Sequence, residues 1–213
     1  MTFLPKVAKD TILIGLSQQL LALRALALLP VIAKLLGTEA YGTWVQVGVT
    51  LSLLSMFCVL GIEFSFVRMY ASVTDKKQIR SSFFALLFTI IGLSCPIAFG
   101  LAVYAGPVAN ALFGSVENER VVQVLALILP FWSVNFLLLA YFRTFRQMRM
   151  YVLLVTIQGL GELLGVMAFV LSGAGVVGAV LGSFAAISIT TVLALAIIIS
   201  QIGACIPSLP AFA

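Results

Sequence analysis

Six long apolar stretches run through the chain, at residues 11–37, 41–71, 81–106, 121–141, 151–172 and 176–200. A helix that crosses the hydrocarbon core of a bilayer takes about 20 apolar residues, and each stretch is long enough. The pattern predicts an all-α, polytopic membrane protein built as a bundle of six transmembrane helices. The connections are short: Gly37-Thr38-Glu39-Ala40 after the first stretch and Ser172-Gly173-Ala174-Gly175 after the fifth. Glycine at such places lets a helix stop and the chain reverse. The longest connection, 107–120, carries an apolar piece at 108–113 that is expected to lie flat at the interface. The first stretch is too long for a cleavable signal peptide and reads as an uncleaved start-transfer helix.

Composition agrees with the pattern. Hydrophobic residues make up 62% of the 213 residues and charged residues 9%, with a mean hydropathy of +1.21. A soluble domain is about 45–50% apolar and about 25% charged. A soluble enzyme, a secreted domain and a disordered chain are therefore excluded. The chain has no histidine, which removes imidazole metal sites, haem ligation and Ser-His or Cys-His catalysis. Cys58, Cys95 and Cys205 are far apart and form no CxxC pair. No Gly-rich nucleotide loop of the G-x-x-x-x-G-K-[ST] type occurs. No cofactor, no metal and no enzymatic activity are expected.

The net charge of +5 points to lipid rather than nucleic acid in so apolar a chain. Lys6, Lys9, Arg68, Lys76, Lys77, Arg80, Arg143, Arg146 and Arg149 all fall on one side of the expected spans. The other side has Lys34 and Arg120 with Glu39, Glu117 and Glu119. The positive-inside rule then puts both termini in the cytoplasm; a bacterial or archaeal plasma (inner) membrane is the expected location. The loop arginines Arg143, Arg146 and Arg149 either gather anionic lipid head groups or simply mark topology. Pro30, Pro96 and Pro130 lie within spans one, three and four; kinks there suit a transporter and a static bundle alike. Gly161–Gly165 and Gly178–Gly182 are GxxxG pairs, expected at close helix contacts.

The chemistry rests on the few polar groups inside the spans. A charge at mid-membrane costs at least about 2.5–3.5 kcal/mol unless it is paired or wetted. Arg24, Glu63 and Glu162 are in that position. Asp10, Ser17 and Arg24 recur at intervals of seven, with Gln18 beside them, which gives one polar stripe on a Leu- and Ala-rich helix. From the helix rise, Arg24 lies about 20 Å and Glu162 about 16 Å from the same membrane face, so their depths match. Arg24 reads either as an anion-binding group in a cavity, with Ser17 and Gln18 beside it, or as half of a structural ion pair. Glu162, with Gln158 one turn earlier, reads as a gating or ion-coupling carboxylate that pairs with Arg24 and yields to an anion. A permanent pair, or a contact with lipid or another subunit, is the alternative. Glu63, near the inner end of span two, reaches the interface or caps an inner gate near Arg68. Trp132 is a candidate for stacking on a sugar ring, or a packed core aromatic.

Leu35-Leu36-Gly37-Thr38-Glu39-Ala40-Tyr41-Gly42 resembles the L-L-G-x-x-x-Y-G signature of polysaccharide (O-antigen type) flippases. Leu60-Gly61-Ile62 with Arg68 downstream is similar to their second-span pattern, and Ala174-Gly175-Val176-Val177-Gly178-Ala179 to the start of their sixth span. The resemblance covers nearly the whole chain. It implies the multidrug/oligosaccharidyl-lipid/polysaccharide exporter superfamily, whose MATE-like members consist of two six-helix lobes around a cationic cavity. Alternating access there carries a polyprenyl-pyrophosphate-linked glycan from the cytoplasmic to the outer face, and first-span arginines are implicated in contacting the pyrophosphate. Arg24 is the position that carries over. Residues 1–206 are then expected to form one six-span, N-terminal lobe and 207–213 the start of a cytoplasmic linker. The chain is expected to be part of a longer protein or a half-transporter that pairs with itself. A multidrug or small-molecule exporter of the same superfamily and a non-transporting membrane assembly subunit remain the alternatives.

Overall fold

The computed structural model describes residues 3–73 and 75–203; for residues 3–11, 13, 17, 18, 20 and 21 it describes the backbone alone. Among the described residues eight α-helices follow one another: α1 (Phe3–Leu35), α2 (Thr38–Val59), α3 (Ile62–Tyr70), α4 (Lys76–Val103), α5 (Ala105–Phe113), α6 (Glu119–Thr144), α7 (Met148–Leu171) and α8 (Gly175–Ile202). A short 3-10 turn at Val116–Asn118 leads into α6. No strand occurs among the described residues. Among those residues, α2, α4, α6 with its leading turn, α7 and α8 are long and apolar enough to cross a membrane. α1, with 33 residues, occupies the place of the first expected span, and part of it lies outside the described side chains.

Local sequence sets the ends. The Asp75 carboxylate accepts a hydrogen bond from the Lys77 backbone N–H at 2.9 Å and caps α4. Ser115 Oγ accepts from the Glu117 N–H at 3.2 Å, starting the turn before α6. The expected flat piece at 108–113 is found inside α5, which packs on α6. α1, α4 and α6 continue through Pro30, Pro96 and Pro130.

One expected element is corrected. The apolar stretch 41–71 does not form a single span; it breaks at Leu60 and Gly61, both in the left-handed region with φ of 48° and 72°. Two left-handed residues in succession end the hydrogen-bond ladder of α2 and redirect the chain. Hydropathy does not see this, because Leu60 and Ile62 are as apolar as the helices they separate. α3 then packs on α6 through Phe66, which is fully buried.

α6 is the central helix. Of its most apolar stretch 61% is buried inside the protein, against 22% for α4. It touches α2, α3, α4, α5, α7 and α8, while α1 lies outside, along α7 and α2. At the end of the bundle that carries the basic loops, Tyr141 meets Phe83, Phe142 and Phe145 with ring centroids 4.7–5.6 Å apart. There Gln147 and Gln201 exchange two amide hydrogen bonds of 2.9 and 3.0 Å, which fix the α6–α7 turn to the end of α8. Outward-facing Leu26, Met56, Phe99, Leu127, Leu164 and Val192 are exposed, the surface a lipid-facing bundle presents.

The closest helix contact is between α7 and α8. A Cβ added at Gly182 would lie 2.5 Å from the backbone carbon of Gly165, and one at Gly165 would lie 2.9 Å from the Gly182 carbonyl oxygen. Backbone meets backbone there, as small-residue membrane interfaces allow. Gly161 faces Ala186 one turn away. Gly182→Ala is therefore expected to destabilise the protein by about 1–3 kcal/mol. Gly92→Ala, where an added Cβ meets nothing within 4 Å, is expected not to lower the thermal unfolding midpoint in detergent.

Candidate functional site

α1 lies along α7, and this places Arg24 against Glu162. Nη1 of the Arg24 guanidinium donates to Glu162 Oε2 in a side-chain ion pair. The two depths read from sequence therefore meet at one level. The Glu162 side chain is only 9% exposed and that of Arg24 22%. The second carboxylate oxygen, Glu162 Oε1, accepts a hydrogen bond from Ser183 Oγ of α8 at 3.3 Å. Ser183 follows Gly182, so the glycine contact that seats α8 on α7 also brings the hydroxyl to the carboxylate. Glu162 is thus held from both sides, by a cation on α1 and a hydroxyl on α8.

Arg24 lines three cavities, two of which also take in Trp132. One, of 220 Å³, is lined by Arg24, Trp132, Asn135, Leu139, Tyr151 and Gln158 and extends toward the end of the bundle that carries the basic loops. The other, of 520 Å³, is lined by Arg24, Tyr41, Trp44, Trp132, Glu162 and Ser183 and extends toward the opposite end. Arg24 and Trp132 line both. Arg24 Nε and Trp132 Nε1 are buried and have no hydrogen-bond partner among the described residues. A guanidinium has five N–H donors; Nη1 serves Glu162, and Nε is left without a partner among the described residues.

Asn135 of α6 is a site residue that the sequence reading does not single out. It is 5% exposed, and its amide nitrogen donates to Gln158 Oε1 at 2.9 Å. The signal was present: it is the one asparagine inside the six expected spans, three residues after Trp132 and so on the same helix face. Gln158 accordingly faces Asn135 and the smaller cavity, whereas Glu162, one turn on, faces the larger one.

Glu63 sits elsewhere. Its Oε2 is 3.9 Å from Arg143 Nη2, so the cation it faces is Arg143 of α6 rather than the expected Arg68. It lines neither cavity. The Arg143 guanidinium also lies over the Tyr151 ring, 5.9 Å from its centroid, a cation–π distance. Ser17 and Gln18 belong to α1, and their side chains lie outside the described residues. Among the described residues no group of three or more Cys, Asp or Glu side chains comes together to hold a metal.

Breaking a buried ion pair by removing one partner strands the other charge and costs about 3–5 kcal/mol. Arg24→Met and Glu162→Leu are each expected to destabilise the protein by about that much. The double variant should recover most of the loss, because no charge is then left unpaired. A double-mutant cycle on thermal unfolding in detergent measures this; additive losses would contradict the pairing.

No curated protein and no solved structure matches the chain. A family does: polysaccharide biosynthesis proteins, whose pattern matches residues 7–209. The match takes in Arg24, Trp132, Asn135 and Glu162 together with every helix that is long and apolar enough to cross a membrane. The chain is a multi-pass helical membrane protein and belongs to the polysaccharide biosynthesis protein family.

Proposed function

We propose that the protein translocates a polyprenyl-pyrophosphate-linked oligosaccharide from the cytoplasmic to the outer face of the plasma membrane by alternating access, and that Arg24 binds the pyrophosphate. The observation that carries this reading is a half-buried arginine, paired with Glu162, that lines two cavities extending toward opposite ends of the bundle. α1 serves as the sixth span. The end with the basic loops is cytoplasmic, and both termini lie there. The described helices act as one lobe of a MATE-like transporter. A second six-span lobe, in cis or as a second copy, closes the larger cavity, whose rim carries the exposed side chains of Val45, Val49 and Leu53.

The mechanism follows from competition for one guanidinium. Pyrophosphate oxygens match the planar fork of arginine donors better than a single carboxylate does. When they arrive, Glu162 gives up Arg24 and keeps the Ser183 hydrogen bond or takes a proton. When the substrate leaves, Glu162 recovers the cation, so the site resets without a long-lived unpaired charge. Ser17 and Gln18 are assigned to the same anion-binding stripe of α1. Glu63, against Arg143 at the cytoplasmic mouth, is placed at an inner gate.

Transport of a labelled polyprenyl-pyrophosphoryl oligosaccharide by the full assembly in proteoliposomes tests this. Arg24→Ala is expected to lower the initial rate by about ten- to a hundredfold, the worth of a charge-assisted hydrogen bond. Arg24→Lys should fall between. Glu162→Gln should still bind the lipid but turn over more slowly. A wild-type rate in Arg24→Ala would overturn the reading.

A further inference from the structure

The smaller cavity holds neutral polar groups that the anion-binding reading does not use. Asn135 donates to Gln158 with its amide nitrogen, but its Oδ1 is buried and has no partner among the described residues. Trp132 Nε1 is in the same condition. Both side chains line the cavity, beside Arg24. A helix contact alone would be served better by leucine, since a buried acceptor without a donor is a standing loss. The residues therefore hold one unpaired acceptor, one unpaired donor and an aromatic ring in the lining of a space of 220 Å³.

That combination selects a ligand chemistry. An anion would meet an acceptor oxygen at Asn135 and gain nothing from it. A hydrocarbon chain would leave both polar atoms unsatisfied. A sugar hydroxyl both donates and accepts, so it can give its proton to Asn135 Oδ1 and take one from Trp132 Nε1. The apolar C–H face of a pyranose ring lies well against an indole. Gln158 holds the Asn135 amide by its nitrogen and thereby fixes which way the oxygen faces. Arg24 lines the same cavity, so the group read is the one nearest to the pyrophosphate.

We propose that Trp132 and Asn135, the latter oriented by Gln158, read the first sugar of the lipid-linked glycan and set the specificity of the site. This rests on the proposal that Arg24 takes the pyrophosphate. Its chemistry is separable, because a lipid without sugar tests Arg24 alone.

The experiment is equilibrium binding to the full assembly in nanodiscs. The probes are bare polyprenyl pyrophosphate and polyprenyl-pyrophosphoryl monosaccharides carrying glucose, galactose or N-acetylglucosamine. At least one sugar-bearing lipid is expected to bind about tenfold more tightly than the bare lipid. Asn135→Leu should bind the bare lipid as the wild type does and lose that preference. Trp132→Phe, which keeps an aromatic ring and deletes the donor, should lose part of it and serves if Asn135→Leu does not fold. The proposal is overturned if no sugar-bearing lipid is preferred, or if the preference survives in these variants while the bare lipid still binds. Failure of the wild type to bind even the bare lipid would overturn the pyrophosphate reading, and this one with it.

Discussion

A cation in the middle of a membrane helix has to be neutralised, and the arrangement of this bundle follows from how that is done for Arg24. Its partner is Glu162 on α7, which requires α1 to lie along α7 at a fixed register. A carboxylate has two oxygens to satisfy. Arg24 takes one, and Ser183 of α8 reaches the other. That second contact exists because Gly165 and Gly182 let α7 and α8 approach until their backbones touch. One electrostatic requirement thus ties three helices together at one level. The glycine pair is as much a part of the site as the charges are.

Two cavities adjoin the same level, and both are lined by Arg24 and Trp132. In the proposed function, a charged residue that lines both is a binding group that each face reaches in turn. A buried ion pair contributes little net stability, because desolvation offsets most of the Coulomb attraction. Its balance makes it exchangeable: a ligand that replaces the carboxylate has little to overcome. In the proposed reading, the neutral groups of the smaller cavity add what charge cannot, which is discrimination among molecules that carry the same pyrophosphate.

Much of this was legible in the sequence, and the reasons differ from one residue to the next. Hydropathy located the membrane helices because length and apolarity are severe requirements. Arg24 and Glu162 stood out because charges in spans are rare, and equal depth suggested that they meet. The GxxxG spacing pointed to close packing, and the contact of Gly165 with Gly182 follows it. The break at Leu60 and Gly61 was hidden, since it depends on backbone angles and not on polarity. Asn135 was passed over because an uncharged amide in a span is a weaker signal than a charge. Which carboxylate meets which arginine is a matter of tertiary geometry, so the choice of Arg143 over Arg68 for Glu63 could not be read from spacing.

The central claim is that Glu162 and the pyrophosphate compete for Arg24. Infrared difference spectroscopy of the assembly on addition of polyprenyl pyrophosphate observes the carboxylate directly. Loss of the ion pair should shift or remove a carboxylate stretching band. The account predicts a ligand-induced change in that band that is absent from Glu162→Gln. Saturating ligand binding without a change assignable to Glu162 would mean that the pair is permanent, and would contradict the account.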